Sequence, residues 1–176
     1  DGLPGSSVRS ILAAADGSIW FATNGPARLS NLHQGRIRTL PMPPSVRNVR
    51  AIVQDARGEI WIGTSDGQVL KVSGDTLVGD PATAGSPSNS VRCLHPTPDG
   101  SLWIGYAEHG IGLIKDGRFA RLSAAEGLVD NSIWQMASDR AGSLWLAGAH
   151  GLSRVALADA VAVAGGRKEK LHPTLH

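Results

Sequence analysis

The chain has 176 residues, a net charge of +2 and an apolar content of 41%. No apolar run reaches the ~18 residues of a membrane-spanning helix, and no stripe of Lys and Arg marks a nucleic-acid surface. We therefore expect no nucleic-acid partner and no membrane contact within this segment. The single cysteine, Cys93, excludes an internal disulfide and a cysteine-based metal site, and we predict that it is a small buried residue of a strand.

Four tryptophans recur at nearly constant spacing and define a repeat. They are separated by 41, 42 and 42 residues, and a glycine precedes each by three positions. The tryptophans are Trp20, Trp61, Trp103 and Trp145, and the glycines, which we assign to turns, are Gly17, Gly58, Gly100 and Gly142. A β-branched residue stands twelve positions before each tryptophan: Val8, Val49, Val91 and Ile133. A repeat of roughly 40–45 residues made of short apolar segments is typical of a propeller blade.

Each repeat predicts four short strands. In chain order, the first strands begin at Val8, Val49, Val91 and Ile133, and the second strands contain the four tryptophans. The third strands begin at Ala27, Gln68, Ile111 and Leu152. The fourth strands begin at Gly35, Gly74, Gly117 and Gly166, the last because GRKEKL shares Gly-Arg-x-x-x-Leu with GRIRTL and GRFARL. The alanine-rich residues 156–165 are interpreted as an insertion.

The repeats therefore predict an all-β protein, a β-propeller of four blades with four antiparallel strands each. We expect one propeller segment over residues 1–176, with blades at approximately 1–41, 42–80, 81–122 and 123–176.

Two positions in each repeat have a predicted structural role. The residue before the second glycine is expected to adopt positive φ in a tight hairpin, which Asn, Asp and His tolerate better than other residues with a side chain. These residues are Asn24, Asp66, His109 and His150. The small residue two positions after each tryptophan is expected to let a neighbouring sheet approach closely. These are Ala22, Gly63, Gly105 and Ala147.

The stretches DGLPGSSVRSI from Asp1 and EGLVDNSIWQM from Glu126, with the four tryptophan strands, resemble the two-component regulator propeller repeat. The resemblance implies the sensor region of hybrid histidine kinases and related bacterial signalling proteins. It implies a periplasmic or extracytoplasmic location, a ligand that is often a saccharide, and a signal passed to a downstream output domain. On this basis we expect a sensory, ligand-binding segment without catalysis.

Propellers of that family have about seven blades, so four repeats predict a partial propeller. Blades shaped for such a ring turn too little per step to close at four, which favours a ring completed by homo-dimerisation or by neighbouring blades. The alternative function is a self-associating fragment that acts only as an assembly or protein-interaction scaffold. A glycosidase-like or lyase-like propeller is a weaker alternative.

The candidate ligand-binding residues fall into two sets. The second residue of each first strand is Arg in three repeats and Trp in the fourth: Arg9, Arg50, Arg92 and Trp134. The arginines would form either a charged ring at the channel or separate rim charges, and Trp134 is a candidate to stack on a saccharide. The second set lies in the hairpin turns and consists of Asn24, Asp66, Glu108, His109 and His150. The alternative for the second set is a purely structural role in the turns.

No residue is assigned a catalytic role and no cofactor is expected. A metal site at Glu108, His109 and His150 is disfavoured because they lack a local ligand spacing. The stretch Ser138–Trp145 resembles the Asp-box of sialidases, but it has one residue too many, and that box is itself a structural turn. The only tyrosine, Tyr106, is predicted to be a core residue, and His95 a partly buried, hydrogen-bonded one.

Overall fold

The computed structural model describes residues 7–23 and 28–176, without the side chain of Arg28. The predictions for the motif at Asp1 and for Asn24 lie outside these residues.

Four antiparallel four-stranded sheets follow one another along the chain, each in simple up-and-down order. Blade 1 contains β1 (Val8–Ala13), β2 (Ile19–Thr23), β3 (Arg28–His33) and β4 (Arg36–Leu40). Blade 2 contains β5 (Val49–Gln54), β6 (Ile60–Thr64), β7 (Val69–Ser73) and β8 (Thr76–Gly79). Blade 3 contains β9 (Val91–Pro96), β10 (Leu102–Tyr106), β11 (Ile111–Lys115) and β12 (Arg118–Leu122). Blade 4 contains β13 (Ile133–Ser138), β14 (Ser143–Gly148), β15 (Gly151–Ala156) and β16 (Thr174–Leu175). The predicted all-β fold of four four-stranded blades is confirmed.

The apolar core lies between the blades. One cluster joins blades 1 and 2, a second joins blades 2 and 3, and a third joins blades 3 and 4. The first strands are neighbours, since β1 packs against β5, β5 against β9, and β9 against β13. The described residues of β13 and β1 make no comparable contact, so the four blades form an open arc.

Of the four small residues after the tryptophans, the two glycines have the predicted role. A Cβ added to Gly63 would lie 2.4 Å from Val91 Cγ1 of the next blade. A Cβ on Gly105 would lie 3.1 Å from Ile133 Cγ2, again on the next blade. The blades thus approach each other at these positions more closely than a side chain on these glycines would allow.

The glycines before the tryptophans have the turn conformation expected of them. Gly17, Gly58, Gly100 and Gly142 all have φ between 80° and 83°. The prediction of positive φ for the residues before the second glycine is wrong for Asp66, His109 and His150. Positive φ falls instead on the following glycine, which has φ of 91° at Gly67, 73° at Gly110 and 108° at Gly151.

The predicted fourth strand at GRKEKL is also wrong. Residues 166–171 form no strand, and the edge strand of blade 4 is β16, which pairs with Ser153 and Arg154 of β15. The alanine-rich insertion is a helix, α1 (Leu157–Ala164), that buries Ala160 and Val163. Lys168 forms an ion pair with Asp159 of this helix, and Leu171 donates its N–H to Glu126, so the basic tail folds over the helix and the preceding loop.

Two of the connections between blades contain short 3₁₀ helices. One spans Pro81–Gly85 and is capped by Asp80, whose Oδ1 accepts the N–H of Ala82 at 2.9 Å. The other spans Ala124–Glu126, where Ser123 and Glu126 form a reciprocal capping box. None of the helices in the described ranges has the length and hydropathy that a membrane span requires.

Candidate functional site

Each first strand carries the same β-bulge, one residue after its start. In blade 2, Val49 pairs with Thr64 and Ala51 with the adjacent Gly63, so Arg50 has no partner across the ladder. The same shift in register occurs in β1, β9 and β13. The residues left unpaired are Arg9, Arg50, Arg92 and Trp134. A bulge turns its extra residue away from the alternation of the strand, and bulges are common beside functional sites.

The four bulged residues line one cavity of about 250 Å³. They come from four different blades, and the contacts between successive first strands bring them together. All four are exposed, and the Trp134 side chain is 55% exposed although it is large and apolar. The volume lies just below the roughly 300–1,000 Å³ of sites for drug-sized molecules, so the cavity has room for about one ring of a larger ligand.

The charge of this cavity is positive. No described carboxylate forms an ion pair with Arg50 or Arg92, whereas Arg9 already takes part in an interaction. A guanidinium group stays protonated at any physiological pH and offers a planar pair of N–H donors to a carboxylate or sulfate. The cavity therefore presents cationic donors next to an exposed indole face.

The hairpin candidates within the described residues do not line this cavity; they are Asp66, Glu108, His109 and His150. Asp66 accepts hydrogen bonds from Thr64 Oγ1 and Gln68 Nε2, each at 2.7 Å. Partial burial raises the pKa of Asp66, but these hydrogen bonds outweigh it and hold the pKa below its usual value. Asp66 lines a separate cavity of about 210 Å³ with Gly67, Gln68 and Pro87. The hydrogen bonds of Asp66 therefore stabilise the hairpin turn in which it lies.

The remaining hairpin candidates are also dispersed. His150 Nδ1 and the backbone N–H of His150 both contact the carboxylate of Asp130. His109 Nδ1 is buried without a hydrogen-bond partner among the described residues, and Glu108 is exposed. Within residues 7–23 and 28–176, no three His, Cys, Asp or Glu side chains form a group that would hold a metal ion.

Asp139 shows what the Asp-box-like stretch does. Its Oδ1 accepts the N–H groups of Ala141 and Ser143, and its Oδ2 accepts the indole N–H of Trp145 at 2.7 Å. The backbone N–H of Ser143 and the indole together hold the pKa of Asp139 below its usual value. Asp55 holds Trp61 in the same way at 2.9 Å. In both repeats the carboxylate joins a turn to the repeat tryptophan.

Three single-residue predictions agree with the structure. Cys93 is buried, and burial raises the pKa of its thiol to about 12. Tyr106 is fully buried, and burial raises its pKa as well. His95 is partly buried and its Nε2 lies 2.9 Å from Ser138 Oγ of the next blade, while burial lowers its pKa.

Sequence reasoning missed the bulges and the partners of the tryptophans. The bulge has a signal, because an exposed Arg is followed by two adjacent buried residues, such as Ala51 and Ile52 after Arg50. That pattern breaks the alternation of a regular strand. The Asp-to-Trp bond also has a signal, since Asp55 and Asp139 both stand six positions before a repeat tryptophan.

Comparisons with solved structures agree with the fold. The extracellular domain of a proposed one-component system from B. thetaiotaomicron matches with a TM-score of 0.71 and 25% identity, over 88% of this chain and 22% of that one. The extracellular domain of a proposed hybrid two-component system from the same organism matches with a TM-score of 0.73 and 20% identity. This match covers 96% of the present chain and 23% of the other. The chain thus spans about a fifth of these extracellular domains.

Virginiamycin B lyase from Staphylococcus aureus also matches, with a TM-score of 0.75 and 14% identity, over 99% of this chain and 57% of the lyase. At that identity the likeness concerns the fold alone. No curated protein matches the chain significantly in sequence.

Comparison with protein-family models finds a match to three of the four repeats. Residues 2–25, 43–66 and 85–107 match the two-component regulator propeller family. The three segments fall in the regions of β1 and β2, β5 and β6, and β9 and β10, and each includes one repeat tryptophan and one bulged arginine. The resemblance read from the sequence is confirmed: three of the four repeats match the two-component regulator propeller family.

Proposed function

We propose that the chain is a sensory segment of an extracytoplasmic bacterial receptor, and that it binds a small acidic saccharide between Arg50, Arg92 and Trp134. The observation that carries the proposal is the repeated bulge, which turns four equivalent residues into one cavity. The propeller repeats and the likeness to extracellular domains of signalling proteins support the sensory role.

The chemistry of the site favours a ring that bears a carboxylate or sulfate. Arg50 and Arg92 offer donors that match these groups, and a charge-assisted hydrogen bond contributes about 1.5–3 kcal/mol. Trp134 offers an exposed flat surface to the apolar face of a sugar ring. Arginine and tryptophan supply neither a general base nor a nucleophile near neutral pH, so the site is assigned binding and no reaction.

Isothermal titration with a galacturonate disaccharide tests the proposal, with the neutral galactose disaccharide as the comparison ligand. We expect binding of the acidic sugar only, weakened by added salt because charges are screened. Arg50→Ala or Arg92→Ala should weaken binding at least ten-fold, by the loss of one charge-assisted bond. Trp134→Ala should weaken it roughly two- to twelve-fold, by the loss of about 0.5–1.5 kcal/mol of ring contact.

Arg140→Ala is the matched control. Arg140 is an exposed arginine in the turn before β14 and does not line the cavity. It should leave affinity unchanged. Equal binding of both sugars, equal effects of Arg50→Ala and Arg140→Ala, or no binding at all would contradict the proposal.

A further inference from the structure

In blade 4 the connection between the third and fourth strands differs from that of the other blades. In blades 1 to 3 two residues join these strands, for example Gly74 and Asp75 between β7 and β8. In blade 4 the connection runs over residues 157–173 and contains α1. The helix packs against β15 of its own blade and against β12, the fourth strand of blade 3. It therefore adds a wall beside blade 3 that the repeat itself does not supply.

A cavity of about 630 Å³ lies between this wall and the outer strands of blade 3. Its volume is within the roughly 300–1,000 Å³ of small-molecule sites. Leu113 and Phe119 line it from blade 3, and Val161 and Ala164 line it from α1. Leu113 is buried and the other three are partly buried, so the inner lining is apolar. The central cavity is separate, because residues of the first strands line it.

Two exposed arginines line the outer cavity, one from each wall. Arg118 begins β12, and Arg167 follows α1. Neither guanidinium forms an ion pair with a carboxylate of the described residues. Lys115 also lines the cavity, but its Nζ is paired with Asp99, and the exposed Asp116 sets one negative charge against the two arginines. The cavity thus combines an apolar interior with an excess of positive charge.

The end of α1 holds the backbone of Arg167 in place. The N–H of Arg167 donates to Ala162 O at 2.8 Å, and the two preceding residues also donate their N–H groups to carbonyls of the last turns of the helix. Backbone groups therefore satisfy these C-terminal carbonyls, which would otherwise need other partners. The guanidinium of Arg167 is left available to a ligand.

We propose that this outer cavity binds a small carboxylate with an apolar body, of the size of a medium-chain fatty acid. Arg118 and Arg167 offer planar pairs of N–H donors that match a carboxylate, and the apolar lining covers the body. Both neighbours of blade 3 are blades of this chain and pack against it, so a further blade has no place at this cavity. The proposal concerns a second site and does not depend on the acidic saccharide at the central one.

An NMR titration of the ¹⁵N-labelled chain with octanoate tests the proposal, with octanol and acetate as comparison ligands. We expect octanoate to shift the amide signals of Phe119 and Ala164 along one saturating curve. Octanol forms neither ion pair and should bind at least about four-fold more weakly. Acetate lacks the apolar body and should not reach saturation. The Trp134 indole lines the central cavity and should not follow the same curve.

Single substitutions test the two arginines. Arg118→Ala and Arg167→Ala should each weaken octanoate binding roughly two- to five-fold, the contribution of one exposed ion pair. Arg36→Ala is the matched control and should have no effect. Arg36 begins β4 as Arg118 begins β12 and is likewise exposed, but it does not line the cavity. Arg50→Ala removes an arginine of the central cavity and should leave the octanoate curve unchanged, so the two sites are tested separately.

A third substitution tests the apolar interior. Ala164→Leu narrows the cavity and leaves both arginines in place, so it should weaken octanoate binding while the tryptophan fluorescence of the folded chain stays unchanged.

Four outcomes would overturn the proposal. Equal binding of octanoate and octanol would show that the arginines contribute nothing. Equal effects of Arg118→Ala and Arg36→Ala would show a general attraction to positive charge. Shifts centred on Ile11 or Leu152, which are exposed apolar residues of the end blades, would place octanoate elsewhere. The absence of any saturable shift would show that the cavity does not bind this class of ligand.

Discussion

The substitution Gly63→Ala tests the close approach of the blades. Gly63 lies in β6, its φ is not in the left-handed region, and it keeps a pairing partner on each side, Ala51 of β5 and Val69 of β7. The backbone therefore accepts alanine without strain. The added Cβ would lie 2.4 Å from Val91 Cγ1 and 3.0 Å from Val91 Cβ, and both contacts are too short for carbon atoms.

The expected cost follows from two opposing effects. Overpacking a core by one methyl group costs about 1–3 kcal/mol, because neighbours must shift. Replacing glycine by alanine recovers about 0.4–1 kcal/mol by restricting the unfolded chain. We expect a net loss of about 1–2 kcal/mol in the free energy of unfolding, which lowers the Tm by roughly 2–8 °C for a chain of this size.

Urea denaturation followed by tryptophan fluorescence measures this loss, with Gly79→Ala as the control. Gly79 ends β8, its φ is not in the left-handed region, and nothing lies within 4 Å of its added Cβ. Gly79→Ala should be neutral or slightly stabilising. Val91→Ala removes the γ-methyl group in the clash, so its effect should be less than additive with Gly63→Ala by at least 0.5 kcal/mol, about the smallest coupling seen between touching residues. Equal stability of Gly63→Ala and Gly79→Ala would refute the reasoning.

Two further predictions concern stability and pH. Burial lowers the pKa of His95 in the folded chain, so the unfolded chain takes up the proton first and the free energy of unfolding should fall as the pH drops below about 6.5. His95→Gln, which keeps a hydrogen-bonding group near Ser138, should reduce this fall in urea titrations between about pH 5 and 7; an unchanged pH dependence would exclude His95 as its source. Asp55→Ala removes the acceptor of two backbone N–H groups and of the Trp61 indole, and should cost about 2–3 kcal/mol by thermal denaturation. The control is Glu108→Ala at an exposed turn, whose free energy of unfolding should stay within about 0.5 kcal/mol of wild type. An equally small effect of Asp55→Ala would show that its hydrogen bonds to the turn and to Trp61 do not stabilise the fold.

Much of the fold follows from the spacing of a few residues. The glycine three positions before each tryptophan requires a turn, and the tryptophan needs a strand that is covered on both sides. Register is therefore constrained in each copy, and the first and second strands begin where the repeat places them, within one residue. The close packing at Ala22, Gly63 and Gly105 was predictable, because a small residue that recurs at the same position of a repeated strand indicates that a neighbouring sheet approaches there.

The tail shows where the pattern fails. Gly166 has the positive φ that the repeat requires, and Leu171 is buried like its counterparts Leu40 and Leu122. The strand between them does not form; α1 is inserted ahead of this segment, and Lys168 within it forms an ion pair with Asp159 of α1. Local sequence similarity preserved the turn and the buried leucine, while tertiary contacts determined the backbone between them.

The sequence predicts which residues form the candidate site, but it does not predict how their side chains are oriented. The unusual Trp134 among three arginines can be seen in the sequence, but strand alternation alone does not show whether these side chains point together. The bulges decide the question, and a bulge is a property of pairing between two strands. The hairpin residues Asp66 and His150 looked like ligand-binding candidates in the sequence, but their polar groups bond to neighbouring protein residues. Asp66 accepts hydrogen bonds from Thr64 and Gln68, and His150 contacts Asp130.

The most direct test of the site is an NMR titration of the ¹⁵N-labelled chain with the galacturonate disaccharide. The five indole and the arginine Nε signals report separately on the cavity and on the core. We predict that the indole of Trp134 and the Nε signals of Arg50 and Arg92 shift together along one binding curve, while the indoles of Trp61 and Trp103, which are buried between blades, stay in place. Shifts confined to other residues, or no shift of Trp134 at saturating sugar, would contradict the account of a shared central site.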